Sequence, residues 1–178
     1  MTGTPDDSSQ VALEAATPAQ AGLLSNLLAL YIHDLSEVFA IDVDADGRFE
    51  YPRLPLYWSE PDTRFPFLIR VGARLAGFAL VTRGSPAGGD PGRLDVAEFF
   101  VLRRHRRSHV GRRAAFLLWD RLPGRWIVRV SLANRAGLPF WRSTIDEYSR
   151  GEFSQHERPG SPHGWRDFTF SSARADAS

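Results

Sequence analysis

The sequence predicts an α/β (α+β) fold built on one mixed sheet, and three observations carry that expectation. From residue 94 onward, short apolar runs of strand length alternate with segments of helical periodicity. Two further strand-like runs, 65–71 and 75–82, are separated only by Gly72, Ala73 and Arg74, the spacing of a hairpin. The 178 residues, 43% of them hydrophobic, supply the core of a single domain, and no internal repeat or low-complexity linker divides them.

Taken in order, residues 11–15 read as a first strand. Thr17 and Pro18 then give a helix N-cap followed by proline at the first helical position. Leu23, Leu24, Leu27, Leu28, Tyr31 and Ile32 recur at helical spacing, which predicts a helix over 20–32, with a second short helix over 36–40. Residues 42–58, rich in Pro, Asp and aromatic side chains without a period, predict a long ordered loop bordering a pocket. After the hairpin, the Gly- and Pro-rich stretch 85–92 is a surface turn. A strand over 94–102, a helix over 110–122, a strand over 126–132 and a helix over 134–148 follow, the last broken or bent near Pro139. Residues 153–157 and 166–170 close the sheet as an antiparallel pair, while about 1–10 and 171–178 are expected to be disordered.

Composition excludes several chemistries. With no cysteine there are no disulfides, thiolate metal sites or acyl-cysteine intermediates. All 22 residues in the Lys+Arg total are arginine, which removes Schiff-base chemistry. A polar, acidic N-terminus and the lack of a long apolar run predict a cytoplasmic protein without membrane association. The net charge of +1 argues against nucleic acid as the main partner, yet Arg103, Arg104, Arg106, Arg107, Arg112 and Arg113 are packed together. Their placement, between a strand and a helix start, is that of an anion site: the first helical N–H groups lack an intrahelical acceptor and the helix dipole favours negative charge.

Residues Ala97 to Arg112, Ala-Glu-Phe-Phe-Val-Leu-Arg-Arg-His-Arg-Arg-Ser-His-Val-Gly-Arg, resemble the central strand and coenzyme loop of GNAT acetyltransferases. The order of predicted elements resembles that family over nearly the whole chain, and segments 97–100, 114–124 and 140–142 resemble bacterial acetyltransferases of unassigned substrate. The resemblance implies a mostly antiparallel sheet with helices on both faces, acetyl-CoA as co-substrate, and a monomer or homodimer. The reaction it implies is acetyl transfer to a primary amine of a small molecule or peptide. In the family's R/Q-x-x-G-x-G/A pattern Arg106 and Gly111 match the first and last positions, whereas His109 stands where the middle glycine is expected. By resemblance the pyrophosphate lies against Arg106, Arg107, Ser108, His109, Val110, Gly111 and Arg112. The pantetheine arm pairs with backbone of Phe100 and Val101, and Asn134 either touches the coenzyme or caps the following helix.

Amine attack on a thioester needs a base and, for the departing thiolate, an acid. Glu98 is the candidate base. It falls in the alternating row Leu94, Val96, Glu98, Phe100 and Leu102, an ionisable group on an apolar face that needs either a catalytic role or a structural arginine partner. The family's usual acid, a tyrosine of the last long helix, is matched here by Trp141, which has no transferable proton; Tyr31, Tyr57 or solvent remain as acids. These two departures leave a second reading, a degenerate member that binds CoA or a partner without catalysis. Tyr31, Tyr51, Tyr57 and Trp58 are expected either to wall an acceptor pocket or to plug the core. Asp42-x-Asp44-x-Asp46-Gly47 imitates a calcium loop, but Arg53 occupies its twelfth position, so a polar turn and no metal site is expected.

Overall fold

The computed structural model describes residues 10–172 and shows one seven-stranded sheet in the order β1-β2-β3-β4-β5-β7-β6. The strands are β1 Val11–Ala15, β2 Arg64–Val71, β3 Arg74–Arg83, β4 Leu94–Val101, β5 Gly124–Ser131, β6 Phe153–Arg158 and β7 Trp165–Ser172. Every pairing is antiparallel except β4 with β5. Helices α1 (Ala21–Phe39), α2 (Leu56–Ser59), α3 (Val110–Arg121) and α4 (Gly137–Ser149) complete the fold. None of the described helices is long and apolar enough to cross a membrane.

The two faces of the sheet are covered by different helices because the strands are apolar on both sides. Leu24, Leu27 and Leu28 of α1 pack with Leu68, Phe78, Leu80 and Phe100 on one face. On the other, Leu118 and Trp119 of α3 and Trp141 and Ile145 of α4 pack with Val81, Val128 and Phe168. Trp119 is fully buried there, its ring 4.8 Å from those of Tyr148 and Phe170. Trp119→Ala should therefore cost about 3–5 kcal/mol of stability, read from a urea unfolding midpoint.

Three sequence expectations change. The predicted helices 20–32 and 36–40 are one continuous helix, α1, preceded by a 3-10 turn at Pro18–Gln20, where the Gln20 side chain accepts the Thr17 N–H at 2.9 Å. Asp34, in the gap between the two predicted helices, is satisfied by arginines from outside the helix, and the helix runs on until Ala40 caps it in the left-handed region. The last helix starts at Gly137, which places Pro139 in its first turn, where no intrahelical N–H is required, and the helix continues unbroken. Ser171 and Ser172 belong to β7, so the expected C-terminal disorder does not begin at 171; residues 173–178 and 1–9 lie outside the described residues. The Asp42–Gly47 stretch is a polar turn in which Asp44 Oδ1 accepts the N–H of Asp46 and Arg48, and no group of metal-ligating side chains occurs among the described residues.

Candidate active site

Strand β4 carries the site because it departs from regular pairing on both edges. Against β3, Glu98 pairs with Leu80 but Val96 with Val81, so Ala97 is an extra residue and forms a bulge. A bulge reverses the alternation: Leu94 and Val96 face α3 and α4, while Phe100 faces α1. The single alternating row expected from the sequence is thus split, and Glu98 points toward α1. Against β5, pairing survives only at Leu94 with Trp126 and Asp95 with Ile127, after which the strands part.

A cavity of about 450 Å³ fills the gap. It is lined by Val96, Phe99, Val128, Val130, Asn134 and Trp141 on the α3/α4 side and by Tyr31, Leu35, Phe39, Glu98, Arg129 and Trp165 on the α1 side. It therefore passes through the sheet from one face to the other. Tyr31, Leu35 and Phe39 reach it together because they stand four residues apart on α1, a row that only the unbroken helix provides. Arg53 and Pro86 contribute from the flanking loops.

Glu98 is gripped by two phenols. Tyr31 Oη donates to Oε2 at 2.7 Å and Tyr51 Oη donates to Oε1 at 3.0 Å. No arginine forms an ion pair with it, so the structural arginine partner considered from the sequence is absent among the described residues. Burial raises the Glu98 pKa above the ordinary carboxylate value, and the two tyrosine hydrogen bonds and the nearby Arg129 charge offset this only in part. The tyrosines respond in the opposite sense: burial first, then the Glu98 charge, pushes both Tyr31 and Tyr51 well above the usual phenol range. They are donors that keep their protons. Tyr51 was expected from the sequence only as one of four aromatics that wall a pocket or plug the core; its hydrogen bond to Glu98 could not be foreseen, because the aperiodic 42–58 loop gives no signal of which aromatic ring turns inward.

Other sequence candidates fall elsewhere. Tyr57 is buried in the core beneath α1, does not line the cavity, and its hydroxyl has no hydrogen-bond partner among the described residues. Trp58 packs on the same cluster and donates its indole N–H to the Ala16 carbonyl at 3.1 Å. Trp141 stands in the cavity wall with its ring 5.0 Å from those of Phe99 and Phe140. Tyr148 donates to Asp120 at 2.8 Å, and its ring packs on Phe116, Trp119 and Phe170.

The arginine-rich turn is divided between two jobs. Arg103 and Arg106 both donate to Asp34, at 2.7 and 2.6 Å, and Arg106 Nε also donates to the Val101 carbonyl at 2.7 Å. In this arrangement the Arg106 charge is matched by Asp34, and the Val101 carbonyl accepts the Arg106 N–H. Burial opposes ionisation of Asp34, but hydrogen bonds from Arg106 and Arg103 and their charges prevail and hold its pKa below the usual value. With a depressed folded-state pKa, this contribution to stability is present above the unfolded pKa and lost as pH falls through the folded one. The stability gap between wild type and Asp34→Asn should consequently shrink on acidification, measured as urea midpoints across the acid range.

Beyond Arg106 the chain turns sharply. Arg107 and His109 take positive φ values of 63° and 62°, so His109 adopts the left-handed geometry that the glycine of the motif would favour. The first intrahelical donor of α3 is Arg113, whose N–H reaches the His109 carbonyl at 3.0 Å, so the N–H groups of Val110, Gly111 and Arg112 precede the helical ladder. Arg112 is committed to Glu147 at 2.6 Å and to His109 Nδ1 at 2.8 Å, whereas Arg107 and Ser108 are exposed. Gly111 lets the helix start lie against the sheet, since a Cβ there would sit 3.2 Å from the Phe140 ring and 3.6 Å from Val101. Asn134 Oδ1 accepts the Gly137 N–H at 2.9 Å, initiating α4, while its side chain lines the cavity.

No family model matches the sequence, and no curated protein is a match. Comparison with solved structures does find likeness. A Desulfovibrio desulfuricans protein assigned to the GNAT family superposes with a TM-score of 0.61 at 13% identity, covering 92% of this chain and 100% of that one. YncA of Salmonella typhimurium, solved with acetyl-CoA, gives 0.63 at 16% identity over 96% and 98%. Spermidine N-acetyltransferase of Vibrio cholerae, solved with CoA and spermine, gives 0.61 at 10% identity over 92% and 96%. The chain has the fold of the GNAT acetyltransferases.

Proposed function

We propose that this chain transfers an acetyl group from acetyl-CoA to a primary amine, with Glu98 as base. The observation that carries the reading is the Glu98 carboxylate, held by two tyrosine hydroxyls within a cavity that opens where β4 and β5 part. Acetyl-CoA fits this arrangement. The N–H groups at the start of α3, with Arg107 and Ser108, would receive the pyrophosphate. The gap between β4 and β5 would take the pantetheine arm, with the Asn134 amide beside it, and Phe100 and Val101 would offer N–H rather than the Val101 carbonyl.

From the α1 side an amine would approach the thioester next to Glu98. The carbon–nitrogen bond forms, the carbon–sulfur bond breaks, Glu98 takes the amine proton, and that proton ends on the CoA thiol. A carboxylate with a raised pKa is a better base near neutral pH than an ordinary one. Trp141 and the proton-retaining Tyr31 leave water in the cavity as the carrier of the thiolate's proton.

The test is release of free thiol from acetyl-CoA across an amine panel; because the chain has no cysteine, every thiol detected is CoA. Thiol release that depends on an amine supports the reading, and its absence with every amine overturns it. A second reading, binding without catalysis, is favoured by the Arg106 contact to the Val101 carbonyl and by Trp141 in the acid position. Binding of acetyl-CoA without turnover would select it.

A further inference from the structure

The charges around the cavity bear on which amine enters, an inference that rests on the acetyl-transfer reading. On the α1 side the lining includes two arginines, Arg53 and Arg129, against one carboxylate, Glu98. Arg129 uses Nε for the buried Asp95, at 2.7 Å, and lies over the Trp165 ring, 5.9 Å from its centre. Its two terminal nitrogens hydrogen-bond to no acceptor among the described residues, although its side chain is only 15% exposed. A guanidinium anchored at one edge and open at the other presents a fixed donor pair to a planar anion. Arg53 is exposed at the cavity and has no carboxylate partner among the described residues. The same cavity also has apolar lining, from Leu35 and from Phe39 stacked on Trp165 at 6.1 Å and 23°.

We infer that the acceptor is a small amine that also carries a carboxylate on an apolar body, the carboxylate held by Arg53 and Arg129 and the amine presented to Glu98. A polycation would meet two positive side chains and one carboxylate, so polyamines are disfavoured acceptors here.

The experiment pairs phenylalanine with phenethylamine, and leucine with isopentylamine, and adds spermidine. Acetyl transfer is read by thiol release, and binding by calorimetric titration of the same compounds into the full chain with CoA present. Phenylalanine and leucine should surpass their decarboxylated partners by about tenfold or more in kcat/KM and in affinity. Arg53→Gln should raise KM for phenylalanine about tenfold and raise that for phenethylamine, which has no carboxylate for Arg53 to hold, not at all. Arg129→Lys, which keeps a cation for Asp95 but loses the fork, should act the same way. Equal use of the paired compounds, preference for spermidine, or indifference to both substitutions would overturn the inference. Failure of all transfer would defeat the acetyltransferase reading alone, because preferential binding of phenylalanine, lost in Arg53→Gln, would still support the anion subsite and no binding of either compound would refute it.

Discussion

Glu98→Gln should lower amine acetylation by about a hundredfold or more at neutral pH, the range expected when a positioned general base is removed. The pH profile separates this from a packing defect. Burial places the Glu98 pKa above the usual carboxylate range, so wild-type kcat/KM should rise as pH increases through that raised value and Glu98 loses its proton. The variant should lose this limb and retain only the rise due to the substrate amine. Folding should survive, because glutamine can still accept one tyrosine hydroxyl and donate to the other. Linkage points the same way: for a carboxyl whose folded-state pKa is raised, the stabilising effect of the protonated form is complete below the unfolded pKa and lost as pH rises through the folded one. Near pH 7 the neutral glutamine should therefore cost the fold little, measured by urea unfolding alongside the kinetics.

Gly77→Ala should have the largest effect on the fold. Gly77 pairs with Val101, and a Cβ on it would lie 1.9 Å from the Phe100 carbonyl oxygen and 3.0 Å from the Phe100 carbon and Val101 Cα. These are backbone atoms, so no side-chain rotation relieves the clash; β3 and β4 must separate. We expect a loss of about 3 kcal/mol or more, enough to deplete the folded state of a domain of ordinary stability. Soluble yield and the urea midpoint would report it. Gly111→Ala makes a useful control, since the atoms it approaches belong to the Phe140 side chain, 3.2 Å away, and not to backbone.

The succession of elements was legible because it is written in local patterns: the hairpin spacing at 72–74, the Thr17-Pro18 start and the strand–turn–helix around the arginines all appear where the periodicity put them. Glu98 was also legible, as an acid in an apolar strand. What escaped was set by tertiary contact. The bulge at Ala97 is created by the partner strand, and without it the face that Glu98 occupies cannot be read from alternation. The break expected between 32 and 36 is absent, and Asp34 within it is held by two arginines that lie 69 and 72 residues away in the chain, beyond the reach of any local pattern. The same contacts tie Arg106 to α1 through Asp34 and to β4 through the Val101 carbonyl, links that the local pattern of the turn does not display. Gly77 drew no reading from the sequence, because only the strand pairing shows that the Phe100 carbonyl closes on it.

The central claim, that the parted strands and the start of α3 form an acetyl-CoA site, is tested most directly by calorimetric titration of acetyl-CoA into the wild-type chain. The account predicts saturable one-to-one binding in the micromolar range, about −8 kcal/mol. No heat of binding at millimolar acetyl-CoA, from protein shown to be folded, would contradict it.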